Sequence, residues 1–204
     1  MCIRDRRKER SRLLPWQPGS ELLQTLRAQV SFGLHLTKMA VMQANRLQSL
    51  LLRYYPAALH LCESWPTYLT CELVKSYPDP RQVGSLTFIQ FKEFALAHRY
   101  PNPQQLLACF ERLQAAYPKA SEAVIAALAP QAQTLADMLL TSLRKKEETI
   151  RQLNAGFAKH PDAPLFASLP GVGEWLAPAL LVKFGEDRLR FQTAQLLQSL
   201  ARCI

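Results

Sequence analysis

The sequence predicts an all-α protein: two long coiled-coil-like helices flanking a small helical insert, followed by a short helix, a tight hairpin and a second helix. Three observations carry that prediction. Apolar residues recur at alternating steps of three and four through two long stretches. Prolines divide the region between them into short amphipathic pieces. No segment shows the strict alternation of a half-buried strand.

Residues 1–19, "MCIRDRRKERSRLLPWQPG", follow no helical or strand period and end in Pro15, Pro18 and Gly19, so an extended lead-in is expected. Ser20 then offers an N-cap and Glu21 a carboxylate for the first turn. From there to Tyr55 a seam connects Leu23, Leu26, Val30, Gly33, Thr37, Ala40, Ala44, Leu47, Leu51 and Tyr54. Such a heptad pattern implies a helix packed on a partner helix. Gly33 weakens it by roughly 1 kcal/mol against alanine, and Pro56 should stop or bend it.

Residues 56–119 read as shorter helices broken at Pro66, Pro78, Pro80, Pro101, Pro103 and Pro118. The stretches "SWPTYLTCELVKSYPDP" and "TFIQFKEFALAHRYPNP" each end in Tyr-Pro-x-Pro, an echo too short to make a solenoid. A second long helix is expected from about Ser121 to Lys159, with a break at Pro130. Leu128, Leu135, Leu139, Leu143, Ile150, Leu153 and Phe157 line its broad stripe, while "RKKEET" supplies a charged face. Together the two helices imply an antiparallel hairpin, or a stalk used for dimerisation.

Beyond "HPDAP" the chain reads as a short helix over Leu165–Leu169, a hairpin Pro170-Gly171-Val172-Gly173, and a helix from Glu174 to Phe184 closed by Gly185. Gly171 and Gly173 permit unusual backbone angles and leave their amides open to a phosphate oxygen. The N–H groups and positive dipole end of the following helix would point at the same place. Ala177 and Ala179 allow a close helix crossing, with Val172, Leu176, Leu180 and Leu181 on the packed side. Two readings stay open: a cradle for a nucleic-acid phosphate, or a turn that only packs two helices. Glu174 would repel phosphate, whereas Lys183, Arg188 and Arg190 would offset it.

Composition narrows the function. The 204 residues are 49% hydrophobic and carry a net charge of +9, with a pI near 9.6. A polyanionic partner fits that surplus. Arg4, Arg6, Arg7, Lys8, Arg10 and Arg12 outweigh Asp5 and Glu9 by four charges, which leaves +5 for the rest of the chain. Apolar runs such as Leu47–Leu52 are interrupted early, so no transmembrane helix is expected, and the charged start lacks a signal-peptide core. Cys2, Cys62, Cys71, Cys109 and Cys203 show no metal-ligand spacing and read as reduced thiols. His35, His60, His98 and His160 have no ligand spacing, and Glu147 and Glu148 read as a solvated face. No P-loop or nucleophile elbow is present.

The stretch "LPGVGEWLAPALLVKFGE" resembles the helix-hairpin-helix DNA-binding motif, whose hairpin reads Leu-Pro-Gly-(Val/Ile)-Gly. That resemblance implies a sequence-independent contact to the phosphate backbone through Leu169, Pro170, Gly171, Val172 and Gly173, with Lys183 and Arg188 nearby. The order "LLPWQP", "NRLQSLLLRYYPAAL", "SWPTYLTCELVKSYPDP", a second long helix and "HPDAPLFASLPGVGEWLAPALLVKFGEDRLRFQTAQLLQSLA" resembles the insertion-sequence transposases of the IS-one-ten family, the DEDD-type or bridge-RNA recombinases. It covers roughly residues 12 to 201.

The resemblance implies residues 20–159 as a helical, coiled-coil assembly region through which the protein forms homo-oligomers. It implies residues 160–204 as the start of the carboxy-terminal domain. It further implies DNA transposition with Mg2+ and a structured, guide-like RNA in the full-length family, in the cytoplasm and away from membranes. The family's acidic tetrad should precede "LLPWQP" and its nucleophilic serine should follow "QSLAG". Here only Asp5 and Glu9 precede, and the chain reads "QSLARCI"; Ser199 lies before the expected position. A fragment lacking both ends, without catalytic residues or a cofactor of its own, is therefore expected. "MCIRDR", residues 1–6, resembles the translated end of a sequencing-library adaptor. The alternatives are a free-standing DNA- or RNA-binding adaptor and a structural coiled-coil protein without ligand.

Overall fold

The computed structural model describes residues 19–187, and among these all regular structure is helical. The extended lead-in, Cys2, Cys203, Ser199, Arg188 and Arg190 lie outside the described residues. In chain order the helices are α1 (Glu21–Tyr54), α2 (Pro56–Leu59), α3 (Tyr68–Ser76), α4 (Pro80–Val83), α5 (Phe88–Ala97), a 3₁₀ turn (Pro103–Gln105), α6 (Leu106–Gln114), α7 (Glu122–Phe157), α8 (Ala163–Ala167) and α9 (Leu176–Phe184). They form two compact units, one from Met1–Ser31 with Ile150–Ile204 and the other Phe32–Thr149. The unit boundaries fall inside α1 and α7, whereas sequence periodicity places divisions at 19/20 and 159/160. Periodicity follows helix continuity; compactness follows which side chains meet.

In the unit Phe32–Thr149, Ala40, Ala44, Leu47, Leu51 and Tyr54 of the α1 seam are buried, and Thr37 is half-buried. They share a core with Leu128, Ala132, Ala136, Leu139 and Leu140 of α7 and with apolar residues of α2 to α6. Ser142 Oγ donates a buried 2.9 Å hydrogen bond to Gln43 Oε1. Tyr54 and Ile125 line one cavity toward the other ends of the two helices, so α1 and α7 run antiparallel here.

The insert is defined by local chemistry. Tyr55 N-caps α2, whose first residue is Pro56, so the proline that ends α1 starts the next helix. Thr67 caps α3 by accepting from the Thr70 amide, Asp79 caps α4 by accepting from the Arg81 amide, and Thr87 with Gln90 forms a capping box on α5.

The expected break at Pro130 does not occur: α7 is continuous through it. Pro130 faces solvent, so the carbonyl that loses its partner is on the wet side and the ring displaces no core atom. Gln131 Nε2 also donates to the Ala127 carbonyl at 2.9 Å. Hydropathy alone would single out the same helix. An 18-residue window of α7 reaches a mean hydropathy of 1.3, enough by length and composition to cross a membrane. Its buried leucines fill the core of the unit Phe32–Thr149, which is how a core helix passes the same test.

The other unit is built on a smaller core of Leu23, Leu26, Val30, Leu153, Phe157, Ala163, Ala177, Leu181 and Val182. Ser20 caps α1 as expected, accepting from the Leu23 amide at 3.1 Å. A Cβ on Gly156 would meet Leu26 Cδ2 at 3.0 Å, so α1 and α7 approach closely at this point.

Candidate nucleic-acid interface

The hairpin between α8 and α9 is built by its own residue types. Val172 N donates to the Leu169 carbonyl at 3.3 Å, with Pro170 and Gly171 as the central residues and Gly171 at φ 76°. Proline first and a positive-φ glycine second is the pattern of a type II turn. The Gly173 carbonyl then accepts from the amides of Leu176 and Ala177 at 3.0 and 3.2 Å, opening α9. The amides of Gly173, Glu174 and Trp175 donate to no acceptor among the described residues. Leu169, Pro170, Gly171, Gly173 and Glu174 are exposed and Val172 is half-buried. A Cβ added to Gly171 or Gly173 would meet nothing within 4 Å. The result is an exposed turn beside three amides without an acceptor among the described residues, groups an anion can use.

Several expectations shift. The first helix spans Ala163–Ala167 rather than Leu165–Leu169, because Pro164 is favoured in the first turn. The second begins at Leu176 rather than Glu174, since its first hydrogen bonds return to Gly173. Only Gly171 of the hairpin glycines has a positive φ; Gly173 does not. Of the expected packed side, Leu181 is buried and Val172 is half-buried against the same core, whereas Leu176 is 43% exposed; Ala177, Pro178 and Val182 complete the packed face. At 100° per residue Leu176 falls about 140° from Leu181 and about 160° from Pro178, on the side of α9 turned away from the small core. Gly185 ends α9 at φ 75°, with its amide donating to Leu181 at 2.8 Å. Lys183 is exposed in the last turn of α9, about 10 Å along the axis from the helix start at 1.5 Å per residue. The structure therefore does not gather Lys183 with the hairpin, and Arg188 lies outside the described residues.

A polar node missed by sequence reading holds this unit. Glu186 Oε1 accepts from Ser20 Oγ at 2.5 Å, and Oε2 accepts from the Ser20 amide at 2.7 Å. His160, buried at the end of α7, places Nε2 3.1 Å from the same carboxylate. The Asp162 amide donates to His160 Nδ1 at 3.1 Å, so Nε2 carries the proton and donates to Glu186. The Ser20 hydroxyl and amide, with a smaller contribution from His160, hold the Glu186 carboxyl below its usual range against the opposing effect of burial. Gly19 packs closely beside it: a Cβ there would lie 2.6 Å from Leu23 Cδ2 and 3.2 Å from Glu186 Oε2, so either side chain would have to shift. These partners are 166 residues apart, and the only sequence signal was the quoted "FGE" after α9.

The unit Phe32–Thr149 contains a polar cleft of about 1050 Å3 with Glu72, His98 and Arg144 among its walls. Glu72 is buried, ion-paired to Arg144, with His98 Nδ1 3.7 Å away. Tyr68 donates to Glu147 at 2.8 Å, and Lys145 pairs with Glu148 at 2.8 Å. These groups satisfy one another, which is a structural role. Among the described residues no three His, Cys, Asp or Glu side chains come together as metal ligands, so these side chains do not fit a Mg2+ site.

No family model and no solved structure matches the chain. It is 30% identical over 166 residues to the "Mini-circle putative transposase for IS117" of Streptomyces coelicolor, an alignment covering 78% of this chain and 40% of that protein. The chain is similar to a transposase. It spans about two-fifths of the length of that relative. Of the family expected from the order of its motifs, the coarser part, a transposase, has this support.

Proposed function

We propose that this chain is the DNA-holding and assembly region of an insertion-sequence transposase of the IS-one-ten type, acting in DNA transposition or site-specific recombination. The similarity to a transposase gives the reading its class. The observation that carries the contact is the open space at Gly171 and Gly173. That space lets a phosphate oxygen approach the neighbouring amides, which side chains packed against the glycines would block. Leu169, Pro170, Gly171, Val172 and Gly173 would hold the backbone, with Arg188 and, about 10 Å along α9 and away from the turn itself, Lys183 adding positive charge. The long helices would serve homo-oligomerisation; Mg2+ and a structured RNA would belong to the full-length protein, in the cytoplasm. Alone, this stretch would bind DNA without cutting it.

Gly173→Ala tests the cradle. Because nothing contacts that position, the thermal midpoint should stay within about 2 °C of wild type, a shift equivalent to about 0.5–1 kcal/mol. Affinity for a duplex, read by fluorescence anisotropy, should fall severalfold. Unchanged affinity would leave the turn as a packing element.

A further inference from the structure

The two long helices carry the same number of cations and use them oppositely. In α7, Arg144, Lys145, Lys146 and Arg151 are matched by Glu122, Asp137, Glu147 and Glu148. Arg144 and Lys145 form ion pairs, and Asp137 and Glu122 pair with Lys75 and Arg81 of the insert. In α1, Arg27, Lys38, Arg46 and Arg53 face one acidic residue, Glu21, in the first turn. From residue 22 to residue 62 the chain contains no Asp or Glu. Among the described residues, Lys38, Arg46 and Arg53 have no carboxylate within ion-pairing distance.

These three cations share one face. At 100° per residue, His35, Lys38, Met42, Arg46, Ser49 and Arg53 fall within an arc of about 80°, opposite the buried seam of α1. All six are exposed. The rise of the helix separates Lys38 from Arg46 by about 12 Å and Arg46 from Arg53 by about 10 Å. An ordinary solvated helix face mixes signs, as α7 does; this one repels itself without compensation, a cost that a polyanion would remove.

We propose that the Lys38–Arg46–Arg53 face of α1 is a docking surface for the phosphate backbone of duplex DNA, separate from the α8–α9 hairpin. Charge complementarity selects a polyanion. The spacing selects the duplex, because cations about 12 Å apart match the roughly 12 Å width of the B-form major groove and reach phosphates on both of its edges. Single strands are held by stacking on aromatic side chains, and the six residues of this face include none of Phe, Tyr or Trp. A-form RNA, whose major groove is deep and narrow, does not offer that span. The proposal does not depend on the hairpin reading.

The test uses the full chain and a duplex of about 25 base pairs, with affinity measured across a salt series. Lys38→Gln/Arg46→Gln/Arg53→Gln should fold as wild type by circular dichroism. Its slope of log affinity on log salt should fall by about 2 to 3, at roughly 0.9 per lost phosphate contact. Lys145→Gln/Lys146→Gln/Arg151→Gln removes the same charge from α7 and should leave the slope within about one contact of wild type. Equal slope losses in the two triple variants would reduce the effect to net charge and overturn the proposal. So would a stripe variant that binds duplex DNA as wild type does while losing binding to RNA hairpins or phosphatidylserine vesicles.

Discussion

The two compact units hold themselves together by different means. The unit Phe32–Thr149 has a broad core in which leucines of both long helices and aromatic rings of the insert are buried together, such as Phe91 beside Phe110 at 5.6 Å. The unit that carries the hairpin buries far fewer apolar side chains, and it closes on the Ser20–Glu186–His160 node. A small core gains less from each added residue, so directional polar bonds fix what burial alone leaves loose. The hairpin unit should therefore be the less stable one and the one whose stability responds to pH.

Core truncation gives the largest expected effect on that comparison. Leu139→Ala, in the broad core with no exposure, should cost about 4 kcal/mol and lower the main thermal transition. Leu181→Ala in the small core, also without exposure, should cost about 3 kcal/mol. Hydrogen exchange should show that loss in α8 and α9, with the amides of α3 to α6 still protected. If both substitutions deprotect the whole chain alike, the units are one cooperative body and the comparison breaks.

The Glu186 node comes next. Its carboxyl is held below the usual range, so the stabilisation is complete above that range and is lost as pH falls through the depressed value. Glu186→Gln should cost about 1–2 kcal/mol at pH 7, discounted for partial exposure. The variant should also flatten the acid limb of the unfolding profile of α8 and α9. An acid limb identical to wild type would assign that sensitivity to another group. Ser20→Ala should have a comparable effect, about 1–2 kcal/mol, because it loses both the cap and the hydroxyl's bond to Glu186. Combined with Glu186→Gln it should cost less than the sum, because the two residues share a bond.

Much of the architecture was readable because its causes are local. Ser20, Thr67, Asp79 and Thr87 each accept a hydrogen bond from an amide two or three residues ahead, so caps and helix starts follow from nearest neighbours. The Leu23–Tyr54 seam was legible for the same reason, since a helix converts spacing into a face without reference to the rest of the chain. The hairpin's type II turn follows from Pro170 and Gly171 alone.

Other features needed the third dimension. Pro130 ends a helix in isolation, yet here its exposed position lets α7 continue. Leu176 has the residue type of a packed position, but the small core meets the opposite face of α9 and leaves it exposed. The Ser20–Glu186 bond joins residues 166 apart, and no local pattern specifies which carboxylate closes on which cap. The charge asymmetry of α1 was written in the sequence, but only its folded partners show which cations are left uncompensated. Sequence determined the elements, because short-range hydrogen bonding and periodicity decide them. Tertiary structure decided which faces met, because burial and pairing are settled between residues that the chain places far apart.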